Sequence, residues 1–379
     1  MDLLSICKTE REEDVVKNAL RVMDRAYIKN IKEKPLHIII SEMMMMRHLM
    51  FIMERWVLSK VKLEQETLNC IVKNYILILK LLDFDNINTT IPFISLEEYQ
   101  HIYELEEKGI SKKDLINLKY LIYNILNSYK LDPFIYQHKT FMYQYKQLTV
   151  TLDRNDAIFL YGDMEYCIDI KRYNKLKIAY SINVSQQSDL NERMFKMIIK
   201  NKIISHHNGL SKNLFSLIKR HLKINMELFS SPLNYQCDIY GSAHPDVDGC
   251  FGSKGNFFDI YSRAFRDGGS FEAFPPCIVE YIGIFSVIVC NELETNKKPL
   301  SFFIALPHRI DMFSNTLLTA SKWLRFQLLS KTQRKSSKDS EMSNKKLNIF
   351  ILQNDAGAEE YKITDDFIAG LKENFNDTS

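Results

Sequence analysis

The chain has 379 residues, of which 46% are hydrophobic and 26% are charged, and its formal net charge is +3. This composition predicts a globular protein with one large or two ordinary domains. The small positive charge neither requires nor excludes a nucleic-acid partner, so any RNA site has to be a local patch.

The cysteines and histidines argue against a disulfide framework and against a metal site. The seven cysteines are scattered, form no Cys-x-x-Cys pair and are odd in number, which favours thiols in a reducing compartment. His206, His207 and His244 have no cysteines at metal-ligand spacing, so we predict no metal.

The sequence also argues against a membrane or secreted protein. Its first residues lack the basic and apolar regions of a secretory signal. The most apolar segment, 35–58, is interrupted by Glu42, Arg47, Glu54 and Arg55, which excludes a membrane span on charge. The nucleus and the cytoplasm remain as the expected locations of the protein.

Residues 10–130 have a helical pattern. The first helix has its apolar positions at three-four spacing, namely Val15, Val16, Ala19, Leu20 and Met23. The run Met43 to Met46 predicts a second helix, and we interpret its methionines as core residues rather than as a partner groove. A third helix is expected over 61–82, a polar connector over 83–92, and two more helices after the capping boxes at Ser95 and Ser111.

Asp132-Pro133 marks the predicted boundary between a helical domain, 1–132, and an α/β domain, 133–379. Strands are expected over 148–152, 157–161 and 166–170, with a hairpin turn at Gly162-Asp163, and a helix begins at Tyr173. Further segments predict helices over 190–204 and 210–222 and a strand over 226–230, and strands and helices then alternate. Residues 331–346 predict a mobile basic loop, either a solvated insert or an RNA-contacting arm.

Residues 229–280 contain four of the nine prolines and six of the twelve glycines, so the backbone makes its unusual turns there. A strand ending near Phe274 is followed by Pro275-Pro276, which removes two backbone donors and predicts a rigid elbow. Such elbows at strand ends present their flanking residues to ligands.

Six motifs resemble, in order and spacing, the core of the phosphorylated C-terminal-domain-interacting factor family. The resemblance covers about residues 146–375. The motifs are Ser231-Pro232-Leu233-Asn234, residues 242–249, residues 251–255, residues 269–273 before the Pro-Pro, residues 299–307, and residues 349–357. It implies a Rossmann-like class I methyltransferase core with an α-helical N-terminal domain. It also implies S-adenosylmethionine as methyl donor, a nuclear protein, and capped mRNA methylated at N6 of a 2′-O-methylated adenosine.

The resemblance fails at the elbow. The family pattern is Asn-Pro-Pro-Phe, in which the asparagine accepts a hydrogen bond from the exocyclic amine and the ring stacks on the base. This chain has Phe274-Pro275-Pro276-Cys277, so both groups are replaced. Three interpretations stay open: a catalytically impaired pseudoenzyme that retains RNA or donor binding, which we favour; an active enzyme in which Glu272 or Asn354 replaces the acceptor; and a structural subunit that docks an active methyltransferase.

The resemblance also implies where ligands bind. By resemblance the donor loop is Ser231, Pro232 and Asn234. From residue type, the backbone around Gly252, Ser253 and Gly255 either allows a ligand's close approach or forms an ordinary turn. For ribose or amine contacts the candidates are Asp246, Asp248 and Asp259, with solvated turn carboxylates as the alternative. Candidate RNA contacts are Lys254, Arg263 and Arg266, then Lys331, Arg334 and Lys335 in the basic loop, and Gln353 and Asn354, which either meet a base edge or cap a strand.

Many members of this family carry a WW domain that binds the phosphorylated RNA polymerase tail, and a WW domain needs two tryptophans in one small sheet. Trp56 and Trp323 are far apart in this chain. We therefore do not expect polymerase-tail binding from this sequence.

Overall fold

The structure is a computed structural model that describes residues 7, 10–23, 35–62, 109–131, 146–184, 189–204, 209–276, 279–307, 313–330 and 347–376. Several predictions lie outside these residues: nearly all of the helix over 61–82, the connector over 83–92, the helix after Ser95, the boundary at Asp132-Pro133, Cys277, and the basic loop over 331–346.

The helices of the described residues follow one another along the whole chain. They are α1 (Glu10–Met23), α2 (Leu36–Leu58), α3 (Lys112–Leu131), α4 (Ile170–Asn183), α5 (Leu190–Ile204), α6 (Lys212–Leu222), α7 (Pro245–Asp248), α8 (Phe257–Phe265), α9 (Val279–Thr295), α10 (Phe313–Thr319), α11 (Asp355–Glu360) and α12 (Asp365–Asn376). A short 3₁₀ turn, Gly249–Phe251, follows α7.

The strands within the described residues form two separate sheets. The first sheet contains β1 (Leu148–Leu152), β2 (Asp156–Tyr161) and β3 (Met164–Asp169). The second contains β4 (Met226–Ser230), β5 (Tyr240–Ser242), β6 (Gly269–Ala273), β7 (Leu300–Pro307), β8 (Leu324–Leu329) and β9 (Leu347–Gln353).

Most predicted elements are confirmed, and three have the predicted bounds: β1, α5 and β4. The helix expected from Tyr173 begins earlier, at Ile170, because the Asp169 side chain accepts hydrogen bonds from the backbone N–H groups of Lys171 and Arg172 and caps it. One side chain of the first predicted helix face is placed differently: Leu20 is 38% exposed, whereas Val15, Val16 and Ala19 are buried.

The chain divides into two compact units, one made of Met1–Lys29 with Ser205–Ser379 and the other of Asn30–Ile204. The boundary predicted at residue 132 falls inside the second unit. Helix α1, predicted as part of a helical domain, packs in the first unit against α9. The contact is close, because a Cβ added at Gly283 would lie 2.5 Å from the Cγ1 of Val15.

In its described residues, the second unit joins a β-meander to four helices. Strand β2 pairs antiparallel with β1 and with β3. Phe195 of α5 packs on this sheet, with its ring 6.1 Å from Phe159, 5.8 Å from Tyr161 and 6.0 Å from Tyr166. Arg47 of α2 donates a hydrogen bond to the Tyr166 hydroxyl at 3.0 Å. An aromatic core therefore holds this sheet and its helices together.

The first unit is built on a six-stranded sheet with the order β5-β4-β6-β7-β9-β8. The pairs β5-β4, β4-β6 and β6-β7 are parallel, whereas β9 runs antiparallel to both of its neighbours. Helices alternate with these strands along the chain, so the predicted α/β class is confirmed.

Apolar side chains bury the central strands of this sheet. One cluster joins strands β7 and β9 to helices α6 and α12 through residues that include Ile218, Phe303, Ile349 and Phe367. An aromatic cluster joins Phe265 of α8 to Phe271 at 4.7 Å and to Phe302 at 5.1 Å between ring centroids. This core leaves the strand ends as the places where a ligand can reach the sheet.

Candidate functional site

The strand order of the first unit creates a topological switch point at β4. The chain passes from β4 to β5 on one side, and then crosses to β6 on the other side. In open α/β sheets, ligands bind in the crevice outside the carboxyl ends of the strands at such a point. The carboxyl ends of β4 and β6 bring two predicted motifs to this edge, residues 231–234 and residues 274–276.

The loop after β4 is held by Asn234. The Oδ1 atom of Asn234 accepts hydrogen bonds from the N–H and the hydroxyl of Ser231, both at 2.8 Å, and from the hydroxyl of Ser230 at 3.2 Å. The carbonyl of this side chain therefore shapes the turn, in which Pro232 is buried. Its Nδ2 group makes no hydrogen bond to any residue that the structure describes, so it remains a donor for a ligand.

The backbone amides of segment 252–255 are engaged in hydrogen bonds within the protein. The N–H groups of Gly252, Ser253, Lys254 and Gly255 donate to Gly249 O, Asp248 O, Tyr240 O and Ser253 Oγ at 3.0, 3.4, 2.9 and 3.3 Å. Ser253 also forms an isolated parallel bridge with Tyr240. The segment thus extends the edge of the sheet beside β5, and its four amides are already satisfied within the protein.

The glycines of that segment are explained by backbone conformation. Gly252 and Gly255 have φ angles of +100° and +128°, a region that other residues rarely adopt. Gly241 in β5 allows the close approach, because a Cβ there would lie 2.7 Å from Leu228 O and 3.2 Å from Gly255 O. The backbone conformation and the close approach of strands at this sheet edge are therefore sufficient to explain these glycines.

Two glutamates lie side by side inside the sheet, just below the candidate crevice. Glu227 of β4 and Glu272 of β6 are register partners and are 5% and 3% exposed. The carboxylate of Glu227 accepts hydrogen bonds from Gln236 N at 2.6 Å and from Cys237 N, and from the Ser230 hydroxyl at 3.4 Å. Sequence reasoning considered Glu272 but missed Glu227, although a glutamate within Met-Glu-Leu-Phe-Ser is a visible break in an apolar strand.

The two glutamates differ in protonation. Burial, together with the nearby charge of Glu227, raises the pKa of Glu272 well above its usual range. Backbone N–H groups donate to the carboxylate of Glu227 and stabilise its negative charge, which in turn disfavours ionisation of Glu272. Through the Ser230 hydroxyl, which contacts both Glu227 and Asn234, this pair is connected to the donor loop.

The elbow after β6 does not present its first residue to the crevice. Phe274 is 5% exposed and belongs to the apolar cluster that includes Phe215, Cys237 and Phe303. Pro275 is buried and Pro276 is half-buried, while Cys277 lies outside the described residues. The position that carries an asparagine in the Asn-Pro-Pro-Phe pattern is therefore occupied here by a core side chain.

A family model and two curated proteins match parts of this chain. Residues 153–339 match the family model described as phosphorylated CTD interacting factor 1 WW domain. Over 99 residues, which are 26% of this chain and 14% of each relative, it is 36% identical to the human and mouse proteins named mRNA (2'-O-methyladenosine-N(6)-)-methyltransferase. Over residues 153–339, just under half of its length, the chain therefore matches the phosphorylated CTD interacting factor family.

The part of the chain that matches the family is an α/β region. Residues 153–339 include one tryptophan, Trp323, and their described part comprises strands from β2 to β8 with the helices between them. The aligned residues span 14% of the length of each curated relative. The family match thus concerns the sheet with the switch point, although the description of the family model names a WW domain.

The three candidate RNA-contacting cations that were expected near the elbow, Lys254, Arg263 and Arg266, lie away from it. Lys254 and Arg263 line a cleft of about 430 Å³ together with Asn225 and Met226, which lie at the amino end of β4. Arg266 is exposed directly after α8, before the amino end of β6. These three cations are therefore grouped at the opposite edge of the sheet from Pro275-Pro276.

Gln353 and Asn354 also lie at that opposite edge, because β9 runs antiparallel and ends beside the start of β7. The Asn354 Oδ1 atom accepts from Leu300 N at 3.0 Å and Gly357 N at 2.8 Å, and its Nδ2 donates to Asn296 O and Lys298 O at 3.0 and 2.7 Å. Gln353 Nε2 donates to the Ser301 hydroxyl and to Tyr361 O. Both side chains are buried, and their hydrogen bonds correspond to the capping alternative.

The acidic candidates occupy helix starts. Asp246 and Asp248 lie in α7, just beyond the carboxyl end of β5, and Asp248 is fully buried. Asp259 lies in the first turn of α8.

No group of three or more His, Cys, Asp or Glu side chains within the described residues could hold a metal ion. No helix in the described part of the chain is long and apolar enough to cross a membrane.

Proposed function

We propose that this chain is a cap-specific mRNA adenosine N6-methyltransferase-like protein with a Rossmann-like class I core, and that its methyl transfer is impaired. The family match supports the substrate class. The switch point at β4 supports a cofactor crevice between β4 and β6. The observation that carries the proposed impairment is the burial of Phe274 in the core.

The residues at this edge fit a donor such as S-adenosylmethionine in part. The donor supplies a methyl group on a sulfonium, and an amino acid end that needs polar partners. Asn234 Nδ2, with its oxygen fixed by Ser230 and Ser231, would hold the carboxylate of that end. The amides of 252–255 do not fit this task, because all of them donate within the protein.

The impairment follows from the chemistry of the missing groups. An oxygen that accepts from the target amine orients its lone pair, and positioned polar groups of this kind contribute about 10²- to 10⁴-fold in rate. Phe274 offers no acceptor, and its ring is buried among apolar side chains. The residue after Pro276 is a cysteine, so about 1–3 kcal/mol of base stacking is lost as well.

The test measures binding and transfer separately. Purified protein is titrated with S-adenosylmethionine by calorimetry, and is incubated with the labelled donor and capped RNA whose first nucleotide is 2′-O-methyladenosine. We expect the protein to bind the donor and Asn234→Ala to weaken this binding. Asn374→Ala, a matched change in α12, should leave donor binding intact. We expect no transfer, or transfer slower by about 10²- to 10⁴-fold than that of an intact family member.

Rapid transfer by the unsubstituted protein would contradict the impairment and favour the second candidate, an active enzyme with a remodelled pocket. The buried acid Glu272, two residues before Phe274, favours that candidate, because it places a carboxyl group near the elbow. Absence of donor binding would contradict the cofactor site. A stable complex with an active methyltransferase would then support a nuclear docking subunit.

A further inference from the structure

A cleft opens at the amino ends of β4 and β5, opposite the proposed donor crevice. Its volume is about 430 Å³, which is within the range of small-molecule sites. The buried side chains of Met226, Ile260 and Phe271 line it. Ile239, directly before β5, adds an apolar side chain that is 44% exposed.

Polar groups border this apolar surface. Lys254 and Arg263 line the cleft and are exposed, and the Arg263 Nη2 atom donates to Lys254 O at 3.4 Å, which brings the two side chains to the same border. Asn225 adds an exposed side-chain amide to the lining. An amide of this kind can pair with the polar edge of a base.

Charge alone does not identify the ligand, because the acidic residues Asp238 and Asp267 are close in sequence to Ile239 and Arg266. The combination of apolar lining and bordering cations does identify the class of ligand. An apolar cavity with two cations at its border matches a molecule that has a flat apolar part joined to an anion. A nucleotide has this form, with its base for the apolar surface and its phosphate for Lys254 and Arg263.

We propose that this cleft binds one nucleotide of a single-stranded RNA. The site is separate from the crevice at the carboxyl ends of β4 and β6, so it would anchor the strand at a distance from the reacting nucleotide. The proposal rests on the proposed function for its choice of RNA as the partner. It adds a binding position for one nucleotide, in which the apolar lining contacts the base and the cations contact the phosphate.

The test uses fluorescence anisotropy with the full chain and an uncapped, adenosine-rich single-stranded RNA of about 10 nucleotides, within the usual site sizes of single-strand binders. Affinity for the RNA is measured across salt concentrations for the unsubstituted protein and for a double variant that carries both Lys254→Ala and Arg263→Ala. Because each phosphate contact on a single strand contributes about 0.7 to the log–log salt slope, the double variant should lose about 1.4 from that slope.

Lys212→Ala is the matched control. Lys212 is an exposed lysine at the start of α6, about 16 Å along the helix from the end that leads into β4. Its slope should not change. Ile239→Ser should weaken binding without changing the slope, because it removes apolar contact and leaves both cations. Thermal melting of each variant confirms that it is folded.

Three results would overturn the proposal. The first is a salt slope in the double variant equal to that of Lys212→Ala. The second is equal affinity for a ribose phosphate polymer that lacks bases, which would remove the role of the apolar surface. The third is no RNA binding by the unsubstituted protein. If that protein still binds S-adenosylmethionine, the donor site of the proposed function remains supported.

Discussion

Glu227 and Glu272 are direct register partners on the parallel strands β4 and β6, and both are buried. Only Glu227 receives backbone N–H donors from the loop that follows β4. Two neighbouring buried carboxylates repel each other in a medium of low dielectric constant, and this repulsion adds to burial in raising the pKa of Glu272. The sheet therefore buries a pair of acidic side chains next to the proposed donor loop, and ionisation of Glu272 is disfavoured there.

We predict that Glu272→Gln increases stability at neutral pH. Burial beside Glu227 raises the pKa of Glu272 in the folded protein, so the folded state binds more protons than the unfolded state above the ordinary glutamate pKa. Stability is then full below that ordinary pKa and decreases as pH rises toward the raised folded value. Glutamine resembles the protonated form and removes this dependence.

Melting temperatures between pH 4 and pH 8 check this prediction, with about 2–4 °C expected for each kcal/mol. Glu359→Gln, at an exposed position of α11, is the control and should keep the pH dependence of the unsubstituted protein. A Glu272→Gln variant that melts lower than the unsubstituted protein at every pH would show that the ionised carboxylate is required.

We predict that Phe274→Asn destabilises the protein and does not restore methyl transfer. The substitution removes a ring from the apolar cluster and buries an amide there, which should cost about 3–5 kcal/mol. Phe274→Leu keeps an apolar side chain and should cost less. Phe51→Asn, at a position that is 52% exposed, should change stability by no more than about 0.5 kcal/mol.

Thermal and urea unfolding measure these three variants, and the labelled donor assay measures transfer. If Phe274→Asn melts like the unsubstituted protein and gains transfer, then the side chain at this position reaches the crevice and the placement of the ring in the core is wrong.

We predict that Asn354→Ala acts on stability and not on RNA recognition. The change removes an acceptor from Leu300 N and Gly357 N and a donor from two carbonyls, and buried polar groups without partners cost about 1–3 kcal/mol each. Asn374→Ala loses one hydrogen bond, to Gly370 O, and should cost less. Urea unfolding measures the stability of both variants. A folded Asn354→Ala protein with normal stability and weaker RNA binding would instead support contact with a base.

Local signals in the sequence predicted the elements well. Ser231-Pro232-Leu233-Asn234 and Pro275-Pro276 each follow an apolar strand, and their backbone restrictions require the strand to end there. Parallel pairing of β4 with β6 then brings both motifs to one edge, as the α/β pattern predicts. This part of the candidate site could be found because it depends on neighbours in the chain.

The placement of individual side chains could not be found in this way. Gln353 and Asn354 resemble site residues in sequence, but the antiparallel direction of β9 takes them to the opposite edge. Gly252 and Gly255 resemble a ligand loop, yet the neighbouring β5 and 3₁₀ turn engage the amides of this segment. Pairing direction and edge contacts join residues that are distant in sequence, so no local pattern reports them.

The sequence by itself determined the α/β class, the existence of most elements, the two turn motifs and the departure of residues 274–277 from the family pattern, because these depend on local conformation and residue type. Only the tertiary structure decided that Phe274 packs in the core, that Glu227 and Glu272 meet, that α1 packs on α9, and that Lys254 and Arg263 border a cleft away from the elbow. These facts depend on which faces of distant segments are buried together, and burial is settled by packing of the whole sheet.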